Sequence, residues 1–273
     1  MANTSDTRYA IVTGAGSGLG RALAVRLAER RYCVSLADVD VAGARETLQL
    51  VEQAGGRGRV DPLDVTQLDA WYALLEQLRT AWPRLDLLVN NAGVVAAGEI
   101  GSLPIAAWQR VIDVNLWGAI HGCHACAEGL KANPGSHVLN IASIIGLVGG
   151  PTMGPYAVSK AGVVALSETL RVELAKHRVG VTVVCPGFFA TNLLQAGTFD
   201  EPAQQQFAES ITRRARTTAD DVARAALNAL DERRFYVVLP SRARRLWWFK
   251  RWFPEAFLRR VERAFRDGVP RVE

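Results

Sequence analysis

The stretch YAIVTGAGSGLG, Tyr9 to Gly20, decides the fold. Tyr9 to Thr13 is an apolar run of strand length, and a helical pattern begins among the glycines and continues to about Arg30. Glycines at 14, 16, 18 and 20 leave the backbone free of Cβ atoms where that helix starts. A pyrophosphate could therefore approach the exposed N–H groups of the first turn. Strand, glycine turn and helix in this order fit the opening of a βαβ unit, although glycines also serve plain strand-to-helix turns.

Downstream, strand and helix patterns alternate. Tyr32 to Ala37 is a second strand, and Asp38 ends it about eighteen residues beyond Gly20. A carboxylate there can accept hydrogen bonds from an adenosine ribose and would repel a 2′-phosphate, which argues for NAD over NADP. Gly58 to Leu63 is a strand candidate whose Pro62 cannot donate to a ladder and so belongs on a sheet edge. Asp64 and Thr66 open a helix that ends near Trp82. Asp86 to Val89 is a buried strand, followed by Asn90, Asn91, Ala92 and Gly93 at the carboxyl end, where ligands of open α/β sheets sit. Pro104 to Lys131 reads as one long helix. Its Asn115, among Val111, Val114 and Leu116, suits a helix–helix hydrogen bond or a held water.

His137 to Ala142 is the strand feeding Ser143, Pro155 to His177 a helix, Val181 to Cys185 a strand stopped by Pro186-Gly187, and Phe235 to Leu239 the last strand candidate. This alternation predicts an α/β fold, a single-domain Rossmann-type doubly wound parallel sheet of about seven strands with helices on both faces. With no linker rich in Pro, Ser or Gly, residues 1–240 read as one domain and 241–273 as an added tail.

The segment SIIGLVGGPTMGPYAVSK, Ser143 to Lys160, carries the acid–base groups. Tyr156 and Lys160 are four residues apart, so on a helix they share one face, one turn apart. A phenol ionises near pH 10, and a neighbouring cation stabilises the phenolate and pulls that value down. Pro155 is a good helix-start residue, placing Tyr156 in a first turn whose dipole also favours negative charge. Ser143 is set to hydrogen-bond the oxygen that Tyr156 protonates.

With Thr13-Gly14, Gly18 and Gly20, Asn90-Asn91-Ala92-Gly93, Asn115, Ser143, and Tyr156 with Lys160 in order, the chain resembles the short-chain dehydrogenase/reductase superfamily over about residues 8 to 240. The resemblance implies a catalytic tetrad. Tyr156 would be the acid/base, Lys160 would lower its pKa and hold the nicotinamide ribose, Ser143 would polarise the substrate carbonyl or alcohol, and Asn115 would hold a water in a proton relay. It also implies that Gly14, Ser17, Gly18, Leu19 and Gly20 surround the pyrophosphate, Asp38 the adenosine ribose, and Asp64 and Val65 the adenine. Asn91 would meet the neighbouring ribose, with Ala92 and Gly93 packing closely beside it, and Pro186, Gly187 and Thr191 would anchor the carboxamide. Relatives that use NADP commonly carry a basic residue at the place of Ser17 or Val39, so NAD is the expected cofactor. Family members usually pair through helices matching 104–131 and 155–177, so a homodimer or homotetramer is expected.

Phe188-Phe189 replaces the usual small or branched residue after Pro-Gly, and Leu193, Leu194 and Phe199 follow. With Ile145, Leu147, Val148 and Met153 beside Ser143, an apolar pocket is expected, for a secondary, aromatic, steroid-like or long-chain alcohol or ketone. The alternatives are a 3-oxoacyl reductase using NADPH and, in a different class, a catalytically silent NAD-binding regulator or scaffold. All four tetrad positions are filled, which speaks against the latter.

Composition sets the remaining bounds. The chain has 273 residues, 49% of them hydrophobic and 22% charged, as in an ordinary globule. It lacks any run of about 18 apolar residues and starts with MANTSDTR, so no spanning segment or signal peptide is read and a cytoplasmic protein is the default. Cys33, Cys123, Cys126 and Cys185 make no disulfide framework. His121 and His124 beside two of them (HGCHAC) lack a second cluster to complete four metal ligands, so no metal is expected. The net charge of +5 resides in the tail, where nine Lys/Arg face two acids between Arg242 and Arg266.

That tail, SRARRLWWFKRWFPEAFLRRVERAFRDG, keeps apolar residues at roughly helical spacing, and Pro254 splits it into two helices. A basic, Trp-rich amphipathic segment of this kind, 242–266, contacts a membrane surface, packs on its own body or a partner subunit over the substrate entrance, or is poorly ordered. Its basic residues surround large apolar ones and no nucleic-acid motif accompanies them, so nucleic acid is not an expected partner.

Overall fold

The computed structural model describes residues 7–189, 197–201, 205–206, 210 and 212–267. Seven strands form one parallel sheet in the order β3-β2-β1-β4-β6-β7-β9. They are β1 (Arg8–Thr13), β2 (Tyr32–Asp38), β3 (Arg57–Pro62), β4 (Leu87–Asn90), β6 (His137–Ile141), β7 (Gly180–Pro186) and β9 (Tyr236–Leu239). Pro62 lies on edge strand β3, where its missing N–H costs no ladder bond.

Both faces of the sheet are covered, as the near-continuous apolar strands require. On one face α1 (Gly18–Glu29), α2 (Val41–Gln53) and α8 (Ala219–Asp231) bury Leu19, Leu23, Leu27, Val51 and Leu227 against Val12, Val34, Leu36 and Val184. On the other, α3 (Leu68–Ala81), α5 (Gly118–Lys131) and α7 (Gly154–Ala175) bury Trp71, Leu78, Cys123, Cys126, Leu130 and Val163 against Ile11, Leu88, Val138 and Val183. The chain order reverses direction between β1 and β4, which opens a crevice at their carboxyl ends.

The expected single helix from Pro104 to Lys131 is interrupted. Helix α4 (Ile105–Ile112) passes through one π turn, Asp113–Trp117, before α5, and Asn115 sits inside that turn. Apolar periodicity runs through the interruption unchanged, so sequence spacing gave no sign of it. Two short strands, β5 (Ala96–Ala97) and β8 (Thr198–Phe199), pair in parallel above the sheet and tie the loop after β4 to the segment after β7. The five-residue helix α6 (Ile144–Val148) lies between β6 and α7. The tail forms α9 (Ser241–Trp252) and α10 (Pro254–Arg266), divided at Pro254 as expected. Among the described residues no helix is long and apolar enough to cross a membrane.

Away from the crevice, at the amino end of β6, His137 is buried and its Nε2 lies 2.8 Å from Thr182 Oγ1. The Thr182 hydroxyl donates its own proton to Arg234 O, which assigns the imidazole proton to Nε2. Gly180 is the strand neighbour because a Cβ there would lie 2.1 Å from His137 Nδ1. Burial lowers the His137 pKa to about 4. An unfolded histidine binds a proton below about pH 6.5, whereas the folded one refuses it until about 4. Stability should therefore fall as the pH drops through this window, by up to about 3 kcal/mol. Denaturant titrations of the native chain and of His137→Gln check this: the variant should show a flatter profile across the same window.

Candidate active site

The crevice is held open by a clasp between the first and fourth strands. Thr13 Oγ1 accepts from Asn91 N and Ala92 N, both at 3.0 Å, and donates to Val89 O at 3.3 Å. Asn91 Nδ2 donates to Thr13 O at 2.9 Å and Gly14 O at 3.1 Å. Both amide hydrogens of Asn91 thus shape the glycine turn itself. Gly14 adopts φ +64°, and a Cβ on Gly20 would lie 1.9 Å from Gly14 O. Only glycine allows the turn to fold this tightly onto the start of α1.

Asp38 is half-buried at the end of β2, accepting from Gly16 N at 2.7 Å and Asp40 N at 2.8 Å. Ser17 is the N-cap of α1 with no capping bond from its exposed hydroxyl, Gly18 opens the helix, and Leu19 packs beneath it. No motif in the sequence marks Arg21. Its guanidinium binds Gly16 O (2.6 Å), Thr47 Oγ1 (3.0 Å) and Glu46 Oε2 (2.8 Å), so this cation beside the turn is already engaged. Asp64 holds its own loop through Thr66 N at 2.9 Å, and Val65 is buried with its carbonyl 3.1 Å from His121 Nδ1.

Ser143, Tyr156, Lys160 and Asn115 converge at the carboxyl ends of β4 and β6, all nearly buried. Ser143 caps α6, its Oγ accepting from Ile145 N at 3.1 Å. Tyr156 lies in the first turn of α7 behind Pro155. Lys160 Nζ donates to Ile141 O at 2.8 Å and sits 5.9 Å from the Tyr156 ring centroid. Gly93 is adjacent, since a Cβ there would lie 3.2 Å from Asn115 Oδ1 and 3.5 Å from Lys160 Nζ. Asn115 accepts from Val94 N (2.7 Å) and donates to Val94 O (2.9 Å) and Ser159 Oγ (3.1 Å). Its side chain fastens the loop after β4 to α7.

The expected depression of the Tyr156 pKa is corrected. Burial pushes the phenol up to about 12, with the Ser143 hydroxyl pulling the other way. The same burial lowers Lys160 to about 8, and neighbouring Cys185 raises it slightly. Desolvation penalises the charged form of each group, and at this separation it outweighs their attraction.

Tyr156 shares an apolar cluster with Val95, Ile144, Ile145, Val148 and Phe257, onto which Leu147, Met153, Phe188 and Phe199 pack. Phe189 does not join it and turns instead to the α1/α8 core. A Pro-Gly turn sends consecutive side chains to opposite sides, which spacing alone could not assign. Pro186 and Gly187 close β7, with Gly187 N donating to Leu239 O at 2.7 Å. Thr191, Leu193 and Leu194 lie outside the described residues. Phe257, Phe249 and Trp247 of the tail also face this cluster, a contribution only the tail's apolar spacing could have signalled.

Residues 8–201 match the short chain dehydrogenase family model, and the chain belongs to that family. A Mycobacterium tuberculosis (strain ATCC 25618 / H37Rv) protein named as an oxidoreductase, SadH, is 35% identical over 212 residues, 77% of this chain and 77% of that protein. The (3R)-3-hydroxyacyl-CoA dehydrogenase of Mus musculus is 38% identical over 195 residues, 68% of this chain and 75% of that protein. The crystal structure of a short chain dehydrogenase/reductase from Burkholderia phymatum in complex with NAD has a TM-score of 0.81 at 34% identity, covering 85% of this chain and 89% of that one. The protein is an oxidoreductase of the short-chain type, acting on CH–OH groups.

Replacing Thr13 by Val keeps its shape but leaves the Asn91 and Ala92 amides without their acceptor. We expect Thr13→Val to lose about 2–4 kcal/mol of stability and Thr13→Ser to retain most of it, as read from denaturant unfolding midpoints.

Proposed function

We propose that this oxidoreductase interconverts a lipophilic alcohol, secondary, aromatic, steroid-like or long-chain, and its ketone or aldehyde, with NAD as its cofactor. The observation that carries the reading is the Tyr156 phenol, one helical turn from Lys160, set among Ile145, Val148 and Phe257.

The residues present fit a dinucleotide. The tight turn at Gly14–Gly20 fronts the start of α1, where N–H groups favour a pyrophosphate, and the Asp38 carboxylate at the crevice rim suits a ribose diol while repelling a 2′-phosphate. Asp64, Val65, Asn91 to Gly93, Pro186, Gly187 and Thr191 would complete that site. When bound, the nicotinamide supplies the hydride chemistry. Tyr156 transfers the proton at the substrate oxygen through its phenol, Ser143 Oγ hydrogen-bonds that oxygen, and Lys160 brings positive charge beside the phenolate. The apolar wall excludes water and orients the substrate by its hydrocarbon part.

A second reading, an acyl thioester substrate oxidised or reduced at C3, is favoured by the likeness to the (3R)-3-hydroxyacyl-CoA dehydrogenase. Reduction of NAD and of NADP across alcohols graded in apolarity, with 3-hydroxyacyl thioesters included, tests both. Turnover with NAD that improves with apolarity is expected, and a preference for NADP would refute the role of Asp38. Tyr156→Phe should lose about 10²- to 10⁴-fold in turnover while still binding NAD, and near-normal turnover would sink its assignment.

We also propose that subunits pair through α4–α5 and α7. These helices leave Trp117 48%, Val158 53% and Val172 76% exposed, a large apolar area for a surface. Light scattering coupled to size exclusion should return a dimer or tetramer, with Val172→Asp shifting it toward monomer.

A further inference from the structure

The α9–α10 hairpin has two faces with different surroundings. Its inner face carries Leu246, Trp247, Phe249, Phe257 and Val261, which pack on the cluster around Tyr156, with Phe257 buried. Its outer face carries large apolar side chains outside the core clusters: Trp252 is 70% exposed, and Phe253, whose ring lies 6.0 Å from that of Phe249, is 60% exposed. Trp248, Leu258 and Phe265 are exposed too, and the Trp248 and Trp252 rings stack at 6.5 Å. Trp252 and Phe253 sit at the corner between the helices. Arg244, Arg245, Arg251, Arg259, Arg260, Arg263 and Arg266 are all exposed around these residues.

We propose that this outer face docks on an anionic lipid bilayer, with the aromatic corner in the headgroup region and the arginines on lipid phosphates. Charge decides between occupants. A second copy docking through the same face would oppose two tails that each carry nine cations and two acids, whereas an anionic bilayer complements them. Tryptophan, with an apolar body and one N–H donor, is suited to the membrane–water boundary, and arginine stems lie along apolar surface while their heads stay wet. Because the inner face of the same hairpin walls the pocket, docking sets the substrate entrance beside the bilayer. That last step rests on the lipophilic-substrate reading above; the docking itself does not.

Co-sedimentation of the full chain with phosphatidylcholine vesicles, alone or mixed with phosphatidylglycerol, tests it. Binding is expected at least about tenfold tighter on the anionic vesicles and weaker as salt is raised. The double substitution Trp252→Ser with Phe265→Ser should weaken binding on the order of tenfold, while turnover of a water-soluble alcohol stays unchanged, since both side chains are exposed and outside the cluster around Tyr156. No binding to either vesicle would overturn the proposal. So would binding that the double variant leaves intact, or an oligomer in lipid-free buffer that the double variant dissociates, which would assign the face to a second copy. Binding without turnover of any apolar alcohol would uphold the docking and refute only the substrate reading.

Discussion

The clasp of Thr13 and Asn91 is the constraint on which the rest depends. Parallel strands β1 and β4 are neighbours in the sheet but far apart in sequence, and their helices leave toward opposite faces. At such a point the backbone beyond the last ladder bond has no regular partner, and buried N–H and C=O groups must find one elsewhere. One threonine hydroxyl and one asparagine amide satisfy five of them. They fix the glycine turn against the Asn90–Gly93 loop. Through Gly93 the clasp reaches Asn115 and Lys160, so the cofactor side and the acid–base side share one scaffold.

Burial is the second organising effect. Tyr156 and Lys160 are both almost fully enclosed, and each is driven toward its neutral form. A phenol whose pKa is pushed to about 12 holds its proton firmly and a lysine lowered to about 8 gives its proton up more readily, so two values that ordinarily almost coincide are driven apart, the phenol upward and the ammonium downward. Added positive charge in such an enclosed place acts through a low effective dielectric and moves a phenol more than the same charge would in water. The enclosure that raises Tyr156 therefore also makes it responsive to what binds beside it.

The sheet was legible because its signals are local: apolar runs of strand length, a glycine turn, and proline on an edge. The placement of the candidate acid–base residues was legible for the same reason, since Tyr156 and Lys160 are set by helical periodicity and Ser143 by the end of a strand. What sequence left hidden depends on contacts across the fold. The π turn at Asn115 arises within an unbroken apolar pattern, and the divergence of Phe188 and Phe189 depends on the path after Pro186-Gly187. The sign of the Tyr156 shift turned on the depth of burial, which no spacing reveals.

The tail is more than an appendage, because it and Ser143 hold the same small element. Helix α6 has five residues, too few to be stable alone. Ser143 Oγ caps its first turn by accepting from Ile145 N, and Lys250 Nζ reaches from α9 to donate a hydrogen bond to Leu147 O, in the last turn of α6, at 2.9 Å. Burial lowers the Lys250 pKa, against the stabilisation that a cation gains at a helix carboxyl end. A force that shifts α9 therefore acts on α6, and through its amino-terminal cap on the hydroxyl facing Tyr156. The hairpin's surroundings and the geometry of the acid–base site are mechanically joined across a single turn of helix.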